Sequence, residues 1–341
     1  MLNTVYQLKS PRQFEIVFKD ILLDDNRVLV RPTHLSICNA DQRYYQGTRG
    51  EEILRKKLPM ALIHEGIGKV VYDPTHTFET GTEVVMIPNH PAEQDNIIAE
   101  NYLRSSKFSA SSEDGFLQEY IHTPPDRLVE LPKDINKSIA AFTEFVSVSF
   151  HAISRFLRFS HERRDVIGVW GDGNLGYTTS LLLKKMLPDS KICVFGINEY
   201  KLNDFSFADE TCLVSQIPED IQMNHAFECV GGGASARAVN QIIDSILPEG
   251  TISILGVCEE LAPINTRMIL EKGLRVFGSS RSGRVDYEGL IRLYEENPDI
   301  VLYLENIVGS QIEVHDVKDI GNAFETDIHK LIGKTVMIWN E

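Results

Sequence analysis

Apolar and polar positions follow two different rhythms along the chain. Up to about residue 150, short β-rich runs at 27–31, 66–72 and 83–87 are separated by Gly, Pro, Asp and Asn. Runs of that length between turn formers predict the strands of an all-β or α+β domain. From 138 to 157 apolar residues recur at helical spacing, which predicts a helix leading from one domain to the next. The rhythm then changes. A short apolar run at 166–170 (VIGVW) is followed by a helical pattern at 177–186 and a second apolar run at 191–195. Further runs at 225–231 and 251–256 end in glycine. That alternation predicts a doubly wound α/β domain whose strands are parallel and buried on both faces. A helix over 287–296 and shorter pieces after it are expected to rejoin the first domain. The expected division is 1–148 with 281–341 for the β-rich domain, and 149–280 for the parallel-sheet domain.

The turn between the first strand and helix of the second domain reads Gly171-Asp172-Gly173-Asn174-Leu175-Gly176. In that setting each glycine has a job: Gly171 for the tight turn, Gly173 for close approach of a pyrophosphate, and Gly176 for helix–strand packing. The helix that follows offers N–H groups and a positive dipole end to phosphate. A dinucleotide is therefore the expected ligand, with Asn174 and Leu175 in the loop that would hold it. The end of the second strand ordinarily carries an acid for the ribose 2′-hydroxyl. Here that position is Gly196, so nothing acidic is expected to repel a 2′-phosphate, and Lys201 one turn on can pair with it. NADP(H) is favoured over NAD(H). Ligands in such folds bind beyond the carboxyl ends of the strands, which adds Val230, Gly231, Gly256 and Val257 as cofactor-facing candidates.

Charge narrows the function further. With 34 Lys+Arg against 49 Asp+Glu the net charge is −15, and no basic stripe suggests nucleic acid. The first residues lack the basic-then-apolar pattern of a signal peptide, and no apolar run approaches membrane length. Five scattered cysteines give no disulfide framework. A cytoplasmic protein with no membrane partner is the expectation.

Candidate chemistry lies in the β-rich part. One segment contains Cys38 and Asp41, and a second contains His64 and Glu65. Cys, His and Glu are zinc ligands, and three protein ligands with one open position make a catalytic arrangement. Glu144 stands in an otherwise apolar helical run, where a carboxylate is costly unless paired or bound to metal. Each also has an ordinary reading: a buried thiol, a hydrogen-bonded core histidine, a partly exposed acid.

Together these motifs resemble the zinc-dependent medium-chain dehydrogenase/reductases over essentially the whole chain. Within that superfamily the segments SICNADQRYY, KLPMALIHEG, AENYL, GVWGDGNLGY, HAFECVGG and EKGL with GSSRSG are most similar to the ribulose-5-phosphate reductases of bacterial wall and capsule synthesis. The resemblance implies a β-rich GroES-like catalytic domain beside a Rossmann domain. It implies NADPH-dependent reduction of ribulose 5-phosphate to ribitol 5-phosphate, which a cytidylyltransferase then activates, and a homo-oligomer. Cys38, His64 and Glu65 match the catalytic zinc positions, Glu144 a further approach to the metal, and Asp41 a carboxylate that orients ligands. Two departures stand out. Ala40 occupies the place where relatives often carry a proton-relaying Ser or Thr. The stretch 91–120 has none of the four cysteines of a structural zinc lobe, so only a catalytic metal is expected. A sugar phosphate would need arginines, with Arg43, Arg49 and Arg281 as candidates and Arg284 beside them. A sorbitol-type NAD enzyme, a zinc-free quinone reductase and a non-catalytic dinucleotide-binding protein are the alternatives.

Overall fold

A computed structural model describes residues 1–330 and 332–339. The chain divides into two compact units, one formed by Met1–Phe145 with the chain from Ser282 onward, the other by Val146–Arg281.

The first unit is built on largely antiparallel sheet, with one parallel pair between Val308–Val314 and Lys334–Trp339. Its main sheet runs in the order Leu128–Glu130, Glu83–Met86, Glu65–Tyr72, Val28–Ser36, Lys334–Trp339, Val308–Val314, with Ile121–Thr123 also pairing the Val28–Ser36 strand. A smaller sheet joins Gln13–Asp20, Leu2–Ser10 and Met60–Ala61. The predicted strands exist, and their apolar positions fill one core that includes Val30, Leu35, Val70, Val84, Met86 and Phe324. Register decides the site. Ser36 faces Glu65 on one neighbouring strand and Val336 on the other. Three chain segments distant in sequence therefore meet at the end of one strand. The cysteine-free stretch is fastened differently from a zinc lobe: Glu100 accepts from both Nη atoms of Arg127, at 2.8 and 3.3 Å, and from the backbone N–H of Arg284 at 2.8 Å.

The helical pattern near 138–157 is realised as a short helix, Lys137–Ala140, and a long one, Thr143–Phe159. Val146, Ala152, Ile153 and Phe156 on the long helix are fully buried.

The second unit holds a six-stranded, wholly parallel sheet in the order Glu210–Leu213, Lys191–Gly196, Val166–Trp170, Met223–Glu228, Ile246–Ile254, Arg275–Gly278. Its central strands are nearly all buried, as a sheet covered on both faces requires. Trp170 and Phe195 stack across neighbouring strands with centroids 4.1 Å apart. The helix after the glycine loop spans Asn174–Met186, a turn earlier than its apolar pattern begins, because Gly173 serves as N-cap.

Candidate metal centre and nucleotide site

Cys38 is the N-cap of the helix Asn39–Tyr45, where the chain leaves the central strand Val28–Ser36. His64 and Glu65 lie at the start of the adjacent strand. The thiol, one imidazole nitrogen and one carboxylate oxygen of these three all lie within 4.8 Å of one another. His64 and Glu65 are buried, at 8% and 0% exposure, while Cys38 keeps partial access.

Asp41 organises the trio. Fully buried, it accepts the backbone N–H of Ile63 at 3.0 Å through Oδ1 and that of Cys38 at 3.3 Å through Oδ2. Oδ2 also lies 3.4 Å from His64 Nδ1, which leaves Nε2 as the nitrogen available to a ligand. Burial opposes a positive charge on His64, but Asp41 and Cys38 outweigh it and raise its pKa well above the ordinary value. Ile63 is held at φ 71° between its two hydrogen bonds, so the turn that presents His64 is fixed from its own backbone.

Lys334 was not anticipated from the sequence. Its Nζ lies 2.7 Å from Glu65 Oε1 and 4.7 Å from the centre of the Phe145 ring. The other oxygen, Glu65 Oε2, is buried and has no hydrogen-bond partner among the described residues. An unsatisfied buried carboxylate oxygen beside a thiol and an imidazole is a donor set that suits zinc. Glu144 is 5% exposed in the first turn of the long helix. Burial pushes its carboxyl up to about 7, with His64 and Lys334 opposing the shift and Glu65 and Asp41 adding to it. It shares the electrostatic neighbourhood of the trio without belonging to the close cluster. Phe108 packs on the His64 ring with centroids 5.5 Å apart.

The candidate phosphate binders differ in availability. Arg49 stacks on Tyr44 at 4.5 Å, and Arg43 is half-buried on the helix that follows Cys38. Arg281 is exposed at φ 58°. Arg284 is committed elsewhere, bonded to Glu288 at 2.7 Å and to the carbonyls of Pro125 and Leu128.

In the second unit Gly171 has φ 129°, and a Cβ at Gly176 would stand 1.9 Å from the Gly171 carbonyl oxygen. The close approach that needs glycine at 176 is therefore to the turn itself. Around Gly173 a Cβ would meet open space, and no side chain caps the helix start among the described residues. Lys201 lies half-buried in the helix Glu199–Leu202. At the sheet's carboxyl end Glu228, also unanticipated, is fully buried. Its Oε1 accepts from the N–H groups of Val230 (3.0 Å) and Gly231 (2.8 Å), and its Oε2 from Gly256 (3.1 Å). A Cβ at Gly256 would come within 2.3 Å of Gly231 N. Val230 and Val257 remain exposed on these loops, at 41% and 68%.

The absence of an acid beside Gly196 is corrected by the structure. Asp172, from the glycine loop, reaches that strand end, where its Oδ2 accepts from Ile197 N and Asn198 N at 2.8 and 2.7 Å.

Comparison with known proteins agrees with this architecture. Residues 24–133 match the alcohol dehydrogenase GroES-like domain. The chain is 55% identical over 339 residues to ribulose-5-phosphate reductase of Bacillus spizizenii, covering 99% of both chains. It is 53% identical, at the same coverage, to ribulose-5-phosphate reductase 2 of Staphylococcus aureus. The chain belongs to the ribulose-5-phosphate reductase family. It is thus an oxidoreductase of the medium-chain dehydrogenase/reductase superfamily. The crystal structure of S. aureus TarJ in complex with NADPH matches over 100% of both chains with a TM-score of 0.90 and 46% identity. Galactitol-1-phosphate dehydrogenase of Escherichia coli, 18% identical with a TM-score of 0.81, shares the fold. Among the described residues no helix is long and apolar enough to cross a membrane.

Proposed function

We propose that this chain reduces D-ribulose 5-phosphate to D-ribitol 5-phosphate with NADPH, supplying CDP-ribitol synthesis for wall teichoic acid or capsule. The observation that carries the reading is full-length identity of 55% to a ribulose-5-phosphate reductase. It is supported by convergence of a thiol, an imidazole and a carboxylate within 4.8 Å. The first unit is the catalytic domain and the second the nucleotide domain.

Cys38, His64 and Glu65 would hold one zinc ion, with Glu144 as the further carboxylate in their electrostatic neighbourhood. Asp41 fixes the His64 tautomer, and Lys334 offsets the charge of Glu65. NADPH supplies the hydride for the ketone, and zinc supplies a Lewis acid that favours negative charge on its oxygen. Ala40 carries no hydroxyl, so the proton is not relayed from that position. Burial pushes the Glu144 carboxyl up to about 7, which makes it, beside Glu65, a side chain suited to exchange a proton. Gly171, Gly173, Asn174, Leu175 and Gly176 receive the pyrophosphate, Gly196 and Lys201 border the adenosine ribose, and Val230, Gly231, Gly256 and Val257 face the nicotinamide half. Arg43 is the first choice for the substrate phosphate, followed by Arg49 and Arg281. The protein works as a homo-oligomer in the cytoplasm, and its product is the substrate of a cytidylyltransferase.

The test is an NADPH-oxidation assay with ribulose 5-phosphate, run beside fructose and beside NADH, before and after chelation. Fast turnover that needs the substrate phosphate, prefers NADPH and is abolished by chelation is expected. Equal turnover of fructose with NADH would replace this reading by a sorbitol-type dehydrogenase, and activity without zinc would remove the metal centre.

A further inference from the structure

Gly196 and Asp172 form a matched pair. The strand Lys191–Gly196 ends where a dinucleotide fold presents an acid to the adenosine ribose 2′-hydroxyl. Position 196 has no side chain, and the space beside it is filled from the glycine loop. A Cβ at 196 would stand 2.6 Å from the Asp172 Cβ and 2.8 Å from its Oδ2. Three donors converge on that oxygen: the backbone N–H of Ile197 at 2.8 Å, that of Asn198 at 2.7 Å and the Asn198 side-chain amide at 3.1 Å. Oδ1 makes none of these bonds, and the side chain is only partly buried. No ion pair joins Asp172 to Lys201 among the described residues, and Lys201 Nζ lies 6.0 Å from the Tyr200 ring instead.

We propose that Asp172 is the cofactor-selecting residue of this chain. Its carboxylate stands in for the missing acid at 196, accepts a ribose 2′-hydroxyl and opposes a 2′-phosphate. It also occupies the three N–H donors at 197 and 198 that a phosphate would otherwise use. Lys201 pulls the other way. Preference for the phosphorylated cofactor is therefore partial, set by the balance of these two side chains, and NADH remains usable. The inference rests on the reading of the second unit as the NADPH site and specifies how that site chooses.

Two fragments isolate the ribose 2′ position without needing turnover. 5′-AMP and 2′,5′-ADP differ by one phosphate, and their binding to the full chain is measured by calorimetry. Asp172→Asn keeps the shape and one acceptor oxygen but removes the charge. The expected result is at least tenfold tighter binding of 2′,5′-ADP relative to 5′-AMP than in the parent, with the melting temperature retained. If Asp172→Asn lowers the melting temperature, Asp172→Ser is measured in its place. An unchanged ratio, or weaker binding of 2′,5′-ADP, would overturn the proposal and make Asp172 a support for the phosphate-binding turn. A parent protein that binds neither fragment would remove the nucleotide site itself, a failure separate from the first.

Discussion

Lys334 Nζ lies 2.7 Å from Glu65 Oε1, and the two side chains are 4% and 0% exposed. The pair joins the last described strand of the first unit to the strand that carries His64 and Glu65. Burial disfavours a charge on Lys334, but Glu65 and Cys38 outweigh it and raise the pKa above that of a free lysine. The arrangement sets one fixed cation beside the Glu65 carboxylate and the Cys38 thiol while leaving Glu65 Oε2 without a hydrogen-bond partner among the described residues.

Replacing that cation isolates a buried carboxylate. Lys334→Met keeps an unbranched stem against Phe145 but leaves Glu65 uncompensated, a loss of about 3–5 kcal/mol for a broken buried pair. The expected outcome is a lower melting temperature with less zinc retained per chain after dialysis, whereas Lys334→Arg keeps more of both. Thermal unfolding and elemental analysis check this. Unaltered stability and zinc content in Lys334→Met would mean that the pair does not shape the centre.

Glu228 gives a prediction confined to the second unit. One carboxylate ties together the loops after two parallel strands by accepting three backbone N–H groups. An amide cannot do so, because its NH₂ end must face at least one of those donors. Glu228→Gln is therefore expected to set its NH₂ against the Gly256 N–H, which keeps only its 3.1 Å bond to the Glu228 carbonyl, at a cost of about 1–3 kcal/mol, and to raise the NADPH dissociation constant roughly tenfold. Zinc content would stay as in the parent, since the metal residues belong to the other unit. NADPH fluorescence titration gives the first quantity. A parent-like dissociation constant would show that the loops keep their spacing without Glu228.

The elements were legible from the sequence where periodicity and glycine coincided. Val166–Trp170 and Lys191–Gly196 announce themselves as apolar runs on either side of GDGNLG, and Cys38, His64 and Glu65 are unusual enough in their segments to be singled out. The partners of those residues were not legible, because they depend on register between distant strands. Lys334 looks like any lysine entering a strand until the Lys334–Trp339 strand pairs with Val28–Ser36 and brings it to Glu65. Asp172 is hidden for a related reason. The sequence pattern places the acid near the ribose on the second strand, whereas a side chain from the preceding loop reaches the same place. Glu228 left one signal unused: an acid at the end of an apolar strand, just before glycines, is a buried carboxylate in need of donors.

His225 sets an acid limit on the second unit. It is fully buried in the strand Met223–Glu228, accepts the Thr251 N–H through Nδ1 at 3.1 Å, and its Nε2 lies 3.0 Å from the Arg163 carbonyl oxygen. The imidazole is thus held neutral. Burial lowers its pKa to about 3, and the charge of the nearby His161 ring, tilted against it with centroids 4.3 Å apart, adds to the shift. In the unfolded chain the same group titrates near 6.5. Between those values the unfolded state binds a proton that the folded state refuses. Stability from this group is therefore complete above about pH 6.5 and falls as the pH drops towards 3, by at most about 1.4 kcal/mol per pH unit. His225→Gln can accept from Thr251 and donate to Arg163 without titrating. Urea unfolding at pH 7, 6 and 5 should show the parent losing stability faster than the variant, the gap closing towards acid. Parallel pH dependence in the two proteins would assign the acid limit to other groups.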